Sequence, residues 1–142
     1  MALAIDIADA VVVELAGGSF SQAISPQRRV LPEFELSELA ELRVTVVPKG
    51  LEVGGSTRSV CQHDVQIDIG VQKKLGKDLD TETAALCSLM DAIAAYLRRR
   101  PLAATPHAVW VRSRNDPVYA PEHLADQRAF TSVLTVTYRS VG

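Results

Sequence analysis

The stretch Cys61-Gln62-His63-Asp64-Val65-Gln66-Ile67-Asp68-Ile69-Gly70-Val71 decides the fold. Val65, Ile67, Ile69 and Val71 fall on one side of an extended chain, and Asp64, Gln66 and Asp68 fall on the other. Side chains alternate across a strand, so this period of two predicts a strand with one buried and one wet face. Just upstream, Arg43-Val44-Thr45-Val46-Val47-Pro48 is β-branched and alternating, which predicts a second strand. The intervening Lys49–Thr57 is rich in glycine and predicts a flexible loop. A direct connection favours antiparallel pairing, so the two strands form a hairpin.

Further out, a helix is predicted over Thr81–Arg99. Leu86, Leu89, Met90, Ile93, Tyr96 and Leu97 form its apolar stripe. Asp78 or Asp80 is placed to cap its start, Glu82 lies in the positive first turn, and Pro101 ends it. Arg98, Arg99 and Arg100 fall in the last turn, where cations oppose the helix dipole, and they double as a candidate basic patch. Lys73–Asp78 reads as a polar turn. Near the N-terminus, Ile7, Ala10, Val11 and Leu15 repeat at helical spacing over Asp6–Ala16, although the run Val11–Val13 also suits a strand.

The segment 19–32 reads as irregular, because Pro26 and Pro32 lack donors for a sheet centre. Glu33–Glu41 fits either a strand or a helical turn. Val109–Val111 predicts a third strand and Phe130–Arg139 a closing one, separated by a long excursion over Arg112–Gln127. The resulting fold class is α+β: one domain over residues 1–142, with an antiparallel or mixed sheet of about four strands. Two helices pack on one face, with long hairpin and loop extensions.

Composition bounds the function. The chain has 142 residues, 47% apolar, 23% charged and 5% aromatic, with a net charge of -2. These values exclude a disordered chain, a collagen and a disulfide mini-protein. The near-balanced charge lacks the basic footprint of a dedicated nucleic-acid binder. No apolar run approaches the ~18 residues of a membrane span, and the first residues lack the basic region of a signal peptide, so no membrane partner and a cytoplasmic protein are expected.

Cys61 and Cys87 read as thiols in a reducing compartment. Metal-ligand spacing is absent around His63, His107 and His123, so no metal and no cofactor are expected. Cys61 and His63 share a strand face and offer a nucleophile and base, yet that face runs on into Val65 and Ile67, which are core. Asp64 and Asp68 lie ~13 Å apart along a strand, too far for a glycosidase pair. Gly50–Gly55 precedes a strand and lacks the G-K-[ST] ending of a phosphate loop. No catalytic residue is assigned. The loops and the wet sheet face point instead to contacts with partners, the usual use of edges and long connections. The candidate interaction residues are Gly50, Leu51, Gly54, Gly55, Arg58, Arg112, Arg114, Asp116, Tyr119 and His123.

The element order, with Arg43–Val71, Thr81–Arg99, Val109-Trp110-Val111-Arg112 and Leu134-Thr135-Val136-Thr137-Tyr138-Arg139, resembles the bacteriophage tail terminator and tail completion proteins, prophage-encoded ones in particular. The resemblance implies a non-enzymatic subunit that assembles as a ring, typically a hexamer. The ring stops polymerisation of the tail tube protein and presents a joining surface to head or neck connector proteins. It places the chain in the host cytoplasm during assembly and then in the virion tail, without sequence-specific nucleic acid. A neck or connector role, or a small enzyme using Cys61 and His63, are the alternatives.

Overall fold

The computed structural model describes residues 2–30, 39–55 and 57–141. Most of the Glu33–Glu41 expectation therefore lies outside the described residues, which there show only a short 3-10 turn at Leu39–Ala40. The elements run α1 (Leu3–Ala16), β1 (Pro26–Arg28), β2 (Arg43–Gly55), β3 (Cys61–Lys74), α2 (Leu79–Leu97), β4 (Val109–Asn115), α3 (Pro121–Gln127) and β5 (Ala129–Val141). The five strands form one sheet in the order β1-β2-β3-β5-β4. The class is α+β, as expected, and the sheet is mixed because β1 runs parallel to β2 while every other pair is antiparallel.

The alternation in β3 organises the core. Val65, Ile67, Ile69 and Val71 are fully buried. Their partners across the ladders are Val44, Val46, Leu134, Val136 and Tyr138, which lie on the same face. Both long helices close this face. Ile7, Val11 and Leu15 of α1 and Leu86, Leu89, Met90, Ile93 and Leu97 of α2 join the same cluster. The alternative of a strand over Val11–Val13 gives way to a helix, since Val11 is buried and Val13 is exposed on opposite sides of one turn. Burial of an apolar stripe outweighs the small helical penalty of valine.

Several boundaries differ from the sequence reading, each for a local reason. β1 arises within the segment read as irregular, with Pro26 as its first residue at a sheet edge, the place where a missing donor costs no ladder bond. Gly50–Gly55 is not a loop: it pairs residue by residue with Gln66–Cys61, so ladder bonds override the weak strand propensity of glycine. Lys73 and Lys74 likewise belong to β3, opposite Phe130 and Ala129. The excursion Arg112–Gln127 divides into the end of β4, a turn with a cis Asp116–Pro117 bond, and α3. Backbone bonds from Asp116 N–H to Val133 O and from Ala120 N–H to Thr131 O keep that turn beside β5.

Helix α2 is capped by Asp78, whose Oδ1 accepts from the Thr81 N–H at 3.1 Å. Glu82 reaches back to accept from the Gly76 N–H at 2.8 Å. The helix ends at Leu97, so Arg98–Arg100 do not occupy its last turn. Arg98 is extended and Arg99 is left-handed, with φ 57°. The cause is visible one turn away. The nearly buried Glu14 carboxylate of α1 accepts from Arg100 Nε at 2.9 Å and from the Ala103 N–H at 2.7 Å, which draws the chain off the helix axis. Arg100 also stacks 4.1 Å over the Tyr96 ring, whose hydroxyl donates to the Glu14 backbone oxygen.

Gly70 lies close against Thr45 in the β2–β3 ladder. A Cβ there would lie 2.9 Å from Thr45 Oγ1. Gly70→Ala is therefore expected to cost about 1–3 kcal/mol, as overpacking does. Adding Thr45→Ala removes the opposing oxygen, and chemical denaturation of the double-mutant cycle should show a favourable coupling above about 0.5 kcal/mol. Strict additivity would mean that the Thr45 hydroxyl is not what Gly70 makes room for.

Candidate interaction surface

Helices α1 and α2 cover one face of the sheet. The opposite face carries Asp64, Gln66 and Asp68 from β3, Thr135, Thr137 and Arg139 from β5, Gly50 and Glu52 from β2, and Arg112 and Arg114 from β4. Two register shifts put some of these residues there. One lies between Pro48 and Gly50 and the other between Trp110 and Arg112. A bulge inserts one unpaired residue and reverses the facing of everything after it. Lys49 is that residue in β2 and Val111 in β4. Strict alternation would have set Arg112 and Arg114 on the face of the half-buried Trp110. The bulge instead pairs them with Thr137 and Thr135 on the open side. It likewise sends Glu52 to the open face and leaves Leu51 and Val53 on the helix side, beyond the core, where they are 50% and 55% exposed.

The open face is a grid of opposite charges. Arg139 donates to both oxygens of Asp64, from Nε at 2.8 Å and Nη2 at 3.1 Å. That bidentate bond holds the Asp64 carboxyl below the usual aspartate range against the opposing effect of its partial burial, with a smaller contribution from the nearby Arg112 charge. Asp68 accepts from Thr135 Oγ1 at 2.6 Å and lies 4.0 Å from Lys49 Nζ. Arg114 pairs with Asp116 at 2.9 Å. Arg112 differs from its neighbours: among the described residues its guanidinium is in no ion pair. It lies where two depressions meet, of about 250 and 180 Å3, which share Gln66, Arg112 and Thr137. Asp64 and Asp68 are thus ion-paired partners of separate cations and do not form an acid–base couple.

Of the residues singled out from sequence, Gly50, Leu51, Arg112, Arg114 and Asp116 come together around these depressions. Gly54 and Gly55 lie at the far end of the β2–β3 ladder, and Arg58 is exposed in the turn beyond it. Tyr119 is exposed beside α3. His123 makes an internal contact, with Nδ1 2.8 Å from Thr131 Oγ1. Arg98, Arg99 and Arg100 lie on the helical side, with Arg100 engaged by Glu14. The sequence reading missed Lys49, Glu52 and Arg139. For Arg139 a signal existed, because it continues the outward alternation of Thr135 and Thr137.

Cys61 and His63 occupy the exposed end of β3, opposite Gly55 and Val53. Among the described residues no hydrogen bond links the two or orients the imidazole. Both cysteines are free. Burial, with a smaller push from the Asp91 charge, raises the Cys87 thiol above its ordinary range. Since the thiolate is the reactive form, iodoacetamide near neutral pH should label the exposed Cys61 well before Cys87. Peptide mapping by mass spectrometry checks the order, and equal rates would contradict the burial of Cys87.

No helix among the described residues is long and apolar enough to cross a membrane. Compared with known proteins, the sequence matches no family model and no curated protein.

Proposed function

We propose that the chain is a structural subunit of a phage tail, which caps the tail tube as a ring of copies, stops tube growth and presents a surface to the head or neck. One observation carries this reading: α1 and α2 close one face of the sheet, and among the described residues the part of the opposite face formed by β4, β5 and the adjoining stretches of β3 and β2 is a polar grid. Lys49, Arg112, Arg114 and Arg139 stand there among Glu52, Asp64, Asp68 and Asp116. A surface with charges of both signs suits a partner of complementary charge, where complementarity supplies specificity and speed of association. The resemblance of the element order to tail terminators points the same way. The work is steric: the ring covers the end to which the next ring of tube protein would add.

Two observations test the reading. Genes for a tail tube protein, a tape measure or a portal should neighbour this one. Tube protein from that cluster, polymerised with the purified chain, should give shorter tubes with added density at one end by negative-stain microscopy. Tubes of unchanged length and bare ends would overturn the reading.

A further inference from the structure

A cavity of about 500 Å3 lies on the helical side, away from the charged grid. It is a groove between α1 and the segment 104–107, with apolar walls from Leu3, Ala10 and Val13. Three polar groups open into it: Asp6, Asp9 and Thr105, with His107 at the rim. The Thr105 residue is 9% exposed and its hydroxyl has no hydrogen-bond partner. Buried hydroxyls are ordinarily satisfied, so this one is an acceptor awaiting a donor. Asp6 and Asp9 are three residues apart on α1 and share a face. Asp9 already holds a guanidinium, that of Arg28, at 2.6 Å. Asp6 is half-buried and in no ion pair among the described residues.

An apolar trough with a free carboxylate and a free acceptor fits a cation on an aliphatic stem. Among the cations of the described residues that form no ion pair, two stand side by side at a sharp turn of the chain. Arg98 and Arg99 are exposed, lie beyond the end of α2, and form no ion pair among the described residues. Arg99 also adopts the left-handed backbone that ordinarily falls to glycine there, which turns the chain sharply and makes a two-arginine knuckle. We infer that the α1 groove is a contact between copies of this chain, in which Asp6 and Thr105 of one copy receive the Arg98–Arg99 knuckle of another. The aliphatic stems of the arginines cover Leu3, Ala10 and the 58%-exposed Val13. The contact rests on the part of the functional reading in which copies meet, and not on the tail itself.

Sedimentation velocity up to roughly 1 mM protein tests this. The wild type should self-associate, and more weakly as salt rises. D6R alone and R98D/R99D alone should each weaken association at least tenfold. All three changes in one chain should return it to within about threefold of wild type, because the reversed charges face one another again. D6N, which spares α1 a cation near its positive end, should weaken association in the same direction by less. A wild type that stays monomeric, or a combined variant no better than the single ones, would overturn the contact. Tube capping is scored separately: intact association with no capping sinks the tail reading alone, and capping with no charge-dependent association sinks this contact alone.

Discussion

Glu14→Ala should lower the stability of the chain by about 2–3 kcal/mol, with the far-ultraviolet spectrum unchanged. At roughly 3 °C per kcal/mol for a chain of this size, Tm falls by about 6–9 °C. Three features of the site set the magnitude. The Glu14 side chain is 10% exposed, so the Ala103 N–H and the Arg100 guanidinium that it satisfies have little water to turn to. The pair joins the end of α1 to the segment after α2, so its loss loosens both helices against the sheet. Arg100 is itself 43% exposed, which keeps the cost below that of a fully buried pair. Glu14→Gln keeps the Ala103 bond and should cost about half as much. A change below about 0.5 kcal/mol for Glu14→Ala would mean that the chain beyond α2 holds its course without this carboxylate.

The same site dictates a pH dependence. The Ala103 N–H is the largest cause, followed by Arg100, in holding the Glu14 carboxyl below its ordinary value of 4.5. A carboxyl with a depressed folded-state pKa stabilises the fold above its unfolded pKa and loses that contribution as pH falls through the folded one. The stability gap between wild type and Glu14→Gln should therefore be full at neutral pH, begin to narrow near pH 4.5 and shrink further below it. Asp64, depressed chiefly by Arg139, adds to the same acid loss. A gap independent of pH down to pH 3 would contradict the ionised pairing.

What the sequence shows of this fold follows from the range of the forces involved. The alternation Val65–Val71 and the stripe Leu86–Leu97 are local patterns, and both faces they predict are the faces observed. Gly50–Gly55 looked like a loop because its own residues favour no strand, and the decision belongs to the partner strand, Cys61–Gln66. The bulges at Lys49 and Val111 are equally non-local, and they determine which way Arg112, Arg114 and Glu52 face. The placement of Arg100 turned on Glu14, 86 residues away, and that of Arg139 on Asp64, 75 residues away. No window of sequence contains either pair. The candidate surface was thus legible as a wet strand face, and its charge pairing was not.

The second large effect belongs to that surface. On the proposed function, Arg112→Glu should reduce tube capping at least tenfold while changing folding stability by less than about 1 kcal/mol. The stability side follows from its surroundings. Arg112 is exposed on an outer strand and in no ion pair among the described residues, so removing it breaks no internal bond. The functional side follows from the charge balance. Asp64, Asp68 and Asp116 are each already matched by Arg139, Lys49 and Arg114. The unmatched guanidinium at the junction of the two depressions is the group with most to gain from an incoming carboxylate. Reversing its sign sets a repulsive charge against that carboxylate and beside Asp64, and like charges across an interface oppose docking strongly. Arg114→Glu, whose native partner Asp116 is 63% exposed, should weaken capping less, and Arg58→Glu, beyond the end of the ladder, should leave it nearly unchanged. If Arg112→Glu capped tubes as wild type does while Arg58→Glu failed, the contact would lie at the tip of the β2–β3 ladder and the open face would be solvent.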